Sequence, residues 1–252
     1  GQEITIRAAD RDLHSGMFGN AAANALAVMA DVLAALRRPD GGVAIPGLYD
    51  GVRPPPEGWG ALDFDEAAFL AGAGLSVPAG EAGFGVLEQV WARPSCEIHG
   101  VWGGYTAPGF KTVIPCEARA KLSFRLAAGQ DPRAVRDGFR AFVRDRLPAD
   151  CTVEFADHGL SPAWAMEADT PFLAPTLRAL EDEWGRATTC GTGGSIPIIG
   201  ALKEALGVDA LLVGFARFDN RIHAPNEKYD LSSFRGGMRS WVRILEALAA
   251  CR

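Results

Sequence analysis

The chain has 252 residues, with 25 lysines and arginines against 31 aspartates and glutamates, which gives a net charge of −6. Its hydrophobic content of 48% and charged content of 22% are typical of globular proteins and exclude a disordered chain. The acidic balance, without a block of basic residues, argues against nucleic acid or an anionic membrane as a partner. No stretch offers the roughly 18 apolar residues that a membrane span needs.

The length predicts one or two domains, and the five cysteines indicate the compartment. They are widely separated and form no Cys-x-x-Cys pair, which favours reduced thiols and argues against a cysteine zinc site. The first residues show no secretory signal. The missing initiator Met fits either its removal before Gly1 or a chain that starts inside a longer protein. We therefore expect a cytoplasmic protein.

The first 157 residues alternate between strand and helix patterns. The predicted elements are strands over residues 3–9, 95–102, 112–126 and 151–155, and helices over residues 21–36 and from Pro132 onward. An irregular insertion at about 46–92 holds one or two short helices. The order strand–helix–strand–strand–helix–strand is that of a split β-α-β unit. It predicts an α+β ferredoxin-like sandwich.

Alternation and capping make two of these elements specific. Within residues 112–126, apolar residues alternate with polar ones, as in a strand with one buried face. In the second helix, Asp131 is the expected N-cap and Pro132 occupies the first turn. Its expected buried stripe consists of Val135, Phe139, Phe142 and Val143.

After residue 157 the pattern changes to that of an α/β domain. We expect a helix from Thr170-Pro171 to about Trp184, a second helix ending near Leu206, a buried strand over residues 210–215 and a closing helix. The expected apolar stripe of the closing helix consists of Phe234, Met238, Trp241, Val242, Leu245 and Leu248. One or two strands in some ninety residues make only half of an α/β domain.

Between the first two of these helices lies a glycine-rich turn, residues 193–197, with Ser195 and Pro197 at the helix start. Such a turn leaves backbone N–H groups free and directs the positive helix end at an anion. For the turn taken alone, an ordinary N-cap with a glycine hinge is the favoured interpretation. A nucleotide P-loop is excluded by the missing Lys-Ser/Thr pair.

His223 follows the expected buried strand, where ligands collect in α/β proteins, and a neutral imidazole there can bind a metal. Asn226 or Glu227 could orient this loop; a histidine bonded to local backbone is the competing interpretation. Taken alone, His14 in a turn and Arg125 on a polar strand face are ordinary surface residues. The sequence contains no His-x-Asp, no Glu-Glu pair and no Gly-x-Ser-x-Gly, so a serine hydrolase has no nucleophile here.

Taken together, these motifs resemble one family, the zinc-dependent exopeptidases and deacylases that include carnosine dipeptidase, acetylornithine deacetylase and succinyl-diaminopimelate desuccinylase. The resemblance is closest to the carnosine and cytosolic non-specific dipeptidase branch. The segments that carry it are residues 10–16, 41–47, 111–115, 193–197 and 223–228, with the insertion around residues 62–65.

The resemblance implies a cocatalytic dizinc site, with Mn or Co as alternatives, in an α/β domain interrupted by a ferredoxin-like lid that dimerises. Residues 1–157 would be the lid, with its insertion at 46–92, and residues 158–252 the carboxyl-terminal part of the catalytic domain. The family's other metal ligands and its general-base glutamate would then lie upstream of Gly1. His223 would be the one metal ligand here, so we expect weak or no metal binding and no activity from this chain alone.

The resemblance also implies roles for the remaining site residues. His14 would stabilise the oxyanion, reaching the metals of the other subunit of a homodimer paired through residues 21–36 and the adjacent strand. The carboxylate of a peptide or N-acyl amino acid would be held by Thr112, Arg125, Gly194 and Ser195. Two departures from the family pattern, Gly191-Thr192 in place of Arg-Glu and Asn20 in place of a glycine, leave a second hypothesis open. It is a non-catalytic dimerisation or binding module, or a degenerate paralogue.

Overall fold

A computed structural model of the chain describes residues 1–55, 59, 62–167, 169–193 and 196–251. The chain divides into two compact units. The first unit comprises Gly1–Trp164 with Gly191–Pro197, and the second comprises Ala165–Cys190 with Ile198–Arg252. Of the helices described, none combines the length and apolarity that a bilayer crossing requires.

The first unit is built on a four-stranded antiparallel sheet. Its strands are β1 (Gln2–Arg7), β3 (Ser95–Gly103), β5 (Glu117–Arg125) and β6 (Thr152–Asp157), in the order β3-β5-β1-β6. Two shorter strands, β2 (Leu13–His14) and β4 (Val113–Ile114), form a separate antiparallel ladder. The short helix α1 (Ser15–Phe18) directly follows β2. The single strand expected over 112–126 is therefore two strands, separated at Pro115. Proline has no N–H to donate, so a strand ladder is readily broken there.

Two helices cover one face of the large sheet. They are α2 (Ala25–Ala34) and α5 (Pro132–Arg144), and their apolar stripes form one core with the strands. In α5 the predicted stripe is buried as expected, and Asp131 caps the helix by accepting the N–H of Arg133. Helix α2 begins four residues later than predicted, because the Asn24 carboxamide accepts the N–H groups of Leu26 and Ala27 and so defines the N-cap.

The insertion contains the short helices α3 (Glu66–Gly72) and α4 (Val86–Trp91), as expected. Glu81 attaches it to the rest of the first unit, because its carboxylate bonds both Arg38 and Arg93. The Arg93 guanidinium also stacks over the ring of Tyr49, 4.9 Å from its centroid. The insertion is thus a packed part of the first unit.

The second unit contains α6 (Leu173–Trp184), most of α7 (Pro197–Leu206), a short 3₁₀ helix (Phe218–Asn220) and α8 (Leu231–Ala249). The buried strand predicted over residues 210–215 was wrong. That segment is not a strand, and its residues are half-buried or exposed. A strand needs a neighbour to satisfy its backbone, and the described residues of this unit supply no other strand. A start of α6 at Thr170 was also wrong, since the helix begins at Leu173.

The buried face of α8 was predicted wrongly as well. Phe234, Met238 and Leu245 of the expected stripe are exposed. The buried residues of the helix are Ser233, Gly236, Gly237, Ser240 and Ile244. The small residues admit the Trp184 ring of α6, whose Nε1 donates to Ser240 Oγ at 2.8 Å. The buried face of α8 is therefore the one whose small residues allow α6 to approach closely, and not the one with the largest apolar side chains.

Candidate functional site

His14 lies on the small β2–β4 ladder, where its backbone is opposite Val113. The next residue, Ser15, donates its backbone N–H to the carbonyl of Thr112 at 3.1 Å. The structure therefore brings two of the predicted site residues, His14 and Thr112, to one place. Their positions are coupled because His14 lies on one strand of the ladder and Thr112 directly precedes the other.

A second contact joins the same two segments closer to the large sheet. The Asp12 carboxylate accepts the backbone N–H of Cys116 at 3.0 Å, and Ala8 donates its N–H to the Cys116 carbonyl at 2.8 Å. Hydrogen bonds from Cys116 lower the pKa of Asp12 below its ordinary value. Burial, and then the bond to Asp12, raise the pKa of the Cys116 thiol. Asp12 is therefore an ionised carboxylate that stabilises the ladder on which His14 lies, and Cys116 is a neutral thiol.

The His14 imidazole is exposed, and its Nδ1 accepts the backbone N–H of Gly16 at 3.0 Å. Asn20, six residues after His14, has a φ of +64°. Glycine adopts this left-handed conformation freely, and asparagine is among the few other residues that tolerate it. The departure at Asn20 therefore preserves the backbone that a glycine would give.

Arg125 lies at the far end of the large sheet, opposite Ser95 on β3. It is eight residues beyond Glu117, the start of β5, which corresponds to about 26 Å at roughly 3.3 Å per residue. The His14–Thr112 ladder meets the sheet at the other end of β5, through Cys116. Within one chain, the structure thus separates Arg125 from His14 and Thr112.

Of the glycine-rich turn, Gly194 and Ser195 lie outside the described residues. The preceding Gly191 packs against the insertion, where a Cβ would lie 2.5 Å from Cβ of Trp91 and 2.6 Å from the Trp59 ring. The two indoles form an edge-to-face pair with centroids 5.1 Å apart. The departure at residue 191 has a steric explanation, because these tryptophans leave no room for a side chain.

His223 is exposed in a loop with unusual backbone geometry. Its φ is +63°, and Arg221 and Asn226 also have positive φ values, of +55° and +62°. Such conformations cost free energy in non-glycine residues and persist only where surrounding contacts impose them.

The contact that imposes this loop conformation comes from Asn220, which the sequence interpretation missed in favour of Asn226 and Glu227. Asn220 is 1% exposed; its side chain accepts the Arg217 N–H and donates to Asp230 at 3.3 Å. The backbone carbonyl of Asn220 accepts the Lys228 N–H at 3.0 Å. A single buried carboxamide thus joins both ends of the loop. The only available signal was an asparagine directly before the loop, a common residue in such positions.

Within the described part of the chain, no group of three or more histidine, cysteine, aspartate or glutamate side chains is arranged to hold a metal ion. His223 is therefore not part of a group of three or more candidate ligands among these residues. The donor set does not fit a complete two-metal centre, which needs several nitrogen and oxygen ligands for each ion.

Comparison with known proteins defines the class to which the chain belongs. Residues 2–151 match the M20 family described as the peptidase dimerisation domain. The match covers more than half of the chain, so the chain belongs to this family. The family resemblance seen in the motifs is thereby confirmed.

Individual relatives extend the similarity over nearly the whole chain. The chain is 30% identical to the Cys-Gly metallodipeptidase DUG1 of Saccharomyces cerevisiae over 97% of its length and 52% of the relative's. It is 27% identical to the human Beta-Ala-His dipeptidase over 98% of its length and 50% of the relative's. The solved structure of yeast Dug1p matches 98% of the chain, and 53% of its own, with a TM-score of 0.80 and 27% identity. The chain spans about half the length of these relatives.

Proposed function

We propose that the chain is the lid and carboxyl-terminal part of a metal-dependent dipeptidase. The observation that carries this proposal is its 30% identity to a Cys-Gly metallodipeptidase over 97% of the chain. The relatives' names supply the substrate class, small dipeptides such as Cys-Gly or β-Ala-His. A hydrolase of N-acyl amino acids is the alternative within the same chemistry.

The family implies a divalent metal, with zinc as our first choice and manganese or cobalt as alternatives. His223 would be this chain's contribution to that centre, in the complete enzyme. When bound, the metal supplies Lewis-acid activation of water and carbonyl. This chain's own residues would bind and orient the dipeptide and stabilise charge on it.

The lid, residues 1–157, would be a ferredoxin-like dimerisation module. Its sheet order β3-β5-β1-β6, with α2 and α5 over one face, supports this assignment. Strand β3 is an edge strand that exposes Ile98, Val101 and Trp102, and a cleft separates Ile98 from Leu33 at the end of α2. An uncovered edge beside a helix suits isologous pairing with a second copy, so we assign the homodimer contact to β3 and α2.

The distance of Arg125 from His14 and Thr112 indicates which site residues each subunit of the dimer would supply. A dipeptide is roughly 7 Å long, much shorter than the β5 strand that separates Arg125 from the His14–Thr112 ladder. One chain therefore cannot place all three on one substrate. His14 and Thr112 of one subunit would complete a site that contains Arg125, Gly194 and Ser195 of the other.

In that composite site, the roles follow from the donors that each residue offers. The His14 imidazole would donate to the oxyanion of the tetrahedral intermediate, a bond that strengthens as charge develops. The Arg125 guanidinium would bind the substrate carboxylate, together with the N–H groups of Gly194 and Ser195 and the hydroxyl of Thr112. The amide bond to be cleaved would then lie between the His14 imidazole and the Arg125 guanidinium.

The test is hydrolysis of Cys-Gly by the complete enzyme, with and without a chelator, in the parent and in His14→Ala. We expect chelator-sensitive activity and a loss in kcat of about 10²–10³ in the variant, with KM and metal content little changed. A complete enzyme that binds metal but hydrolyses neither dipeptides nor N-acyl amino acids would favour the non-catalytic module. Near-normal kcat in His14→Ala would contradict the role of this residue.

A further inference from the structure

The His14 ring is held by a residue two positions further along the chain. Its Nδ1 accepts the backbone N–H of Gly16 at 3.0 Å. A ring nitrogen that accepts a hydrogen bond carries no proton, so the neutral imidazole must carry its single proton on Nε2. The Nε2–H group is then the donor that the ring offers, and Nδ1 is occupied.

Gly16 also meets a steric requirement. A Cβ at this position would lie 3.0 Å from Cε1 and 3.2 Å from Nδ1 of His14. Carbon atoms in proteins pack at about 3.5–4.0 Å, so a methyl group here would displace the ring. Displacement would lengthen or break the hydrogen bond to Nδ1. A side chain at residue 16 would therefore press against the ring whose Nδ1 accepts the Gly16 N–H.

The backbone on which the ring stands is fixed by other contacts. The ladder pairs His14 with Val113, Ser15 donates to Thr112, and Asp12 accepts from Cys116. None of these contacts involves the His14 side chain. They determine where the residue lies, and the contact with Gly16 determines how its ring is turned and where its proton resides.

We propose that Gly16 is a positioning residue, which holds His14 in a single orientation as its Nε2–H tautomer. The catalytic value of this arrangement rests on the proposed function, since a donor already in place needs no reorganisation when the oxyanion forms. The state of the ring itself does not rest on that function. The two can therefore be tested separately.

The first measurement is a long-range ¹H–¹⁵N NMR spectrum of the uniformly ¹⁵N-labelled chain. For the neutral His14 ring we expect the pattern of a proton on Nε2, together with a scalar coupling across the hydrogen bond between the Gly16 amide and Nδ1. A proton on Nδ1, or the absence of that coupling, would overturn the proposal.

The second measurement compares two neighbouring variants. Gly16→Ala keeps the N–H but adds the methyl group, and should shift the His14 ring signals toward an average of both tautomers. Ser15→Ala keeps the backbone N–H that bonds Thr112 and should leave the ring signals unchanged. Equal ring spectra in the parent and Gly16→Ala, or equal changes in both variants, would refute the role of Gly16. If the ring behaves as expected while His14→Ala retains kcat, the proposed function fails and the positioning role stands.

Discussion

Helices α5 and α8 show how differently the two units use apolar residues. Helix α5 buries its large side chains, among them Phe139 and Phe142, in the core of the first unit. Helix α8 buries glycines and serines instead and exposes Phe234, Trp241 and Val242. Both helices have a clear apolar stripe in sequence. An apolar stripe in the sequence indicates that a helix packs against another surface. Which face of the helix is buried depends on the element that packs against it.

The largest expected contrast compares one phenylalanine from each helix. Phe139 is fully buried, with its ring centroid 5.2 Å from that of Phe124, so Phe139→Ala should destabilise the first unit by about 3–5 kcal/mol. Phe234 is 51% exposed, and Phe234→Ala should change stability by no more than about 0.5 kcal/mol. Hydrogen exchange, followed by mass spectrometry for the segments of each unit, measures both. Comparable losses in the two variants would mean that α8 buries its apolar face in solution.

A smaller effect tests the buried face of α8. A Cβ at Gly236 would lie 2.6 Å from the Trp184 ring, so Gly236→Leu should separate α6 from α8 and cost about 1–3 kcal/mol. Val242→Leu, on the exposed face, is the matched control and should be nearly neutral. Exchange of the α6 amides reports the separation. Unchanged protection in Gly236→Leu would contradict the packing of these two helices.

The smallest expected effect is electrostatic and again concerns the second unit. Hydrogen bonds from Arg239, and then from Arg243, lower the pKa of Glu183 from 4.5 to about 2. A carboxyl whose pKa is depressed on folding stabilises the folded state above its unfolded pKa, and this stabilisation is lost as pH falls through the folded value. Protection of α6 should therefore weaken between about pH 4.5 and pH 2. Glu183→Gln should remove that component of the pH dependence, and an unchanged pH profile would show that the pair contributes nothing.

Most of the first unit could be predicted from the sequence because its signals are local. Alternation along residues 117–125, the Asp131 cap and the stripe of α5 each specify an element without reference to distant residues. The two-strand division at Pro115 was missed because the strand predicted from the alternation after Ala118 was extended back to Thr112, across the proline. The order of strands and helices along the chain was sufficient to predict the sheet, because this order indicates which strands lie side by side.

The secondary structure and the buried faces of the second unit were predicted less well, because they depend on contacts between residues far apart in the sequence. The segment 210–215 has the composition of a strand, but among the described residues of this unit there is no strand with which it could pair. The proposed site residues came from motifs in the sequence, but which of them lie close together could not be predicted from those motifs. That His14 and Thr112 share a ladder, while Arg125 lies at the far end of β5, follows from register alone. Asn220 was missed because its role depends on Asp230 and Lys228 closing around it.

In the proposed dimer, the first unit of one subunit completes a site on the other. Subunit exchange between two variants of the complete enzyme, His14→Ala and His223→Ala, tests it most directly. Each homodimer should be nearly inactive, the first for want of the oxyanion donor and the second for want of a metal ligand. Each mixed dimer holds one intact site, so a fully exchanged mixture should recover roughly a quarter of the parent activity. A mixture that remains inactive, although native mass spectrometry shows the mixed dimer, would contradict the claim.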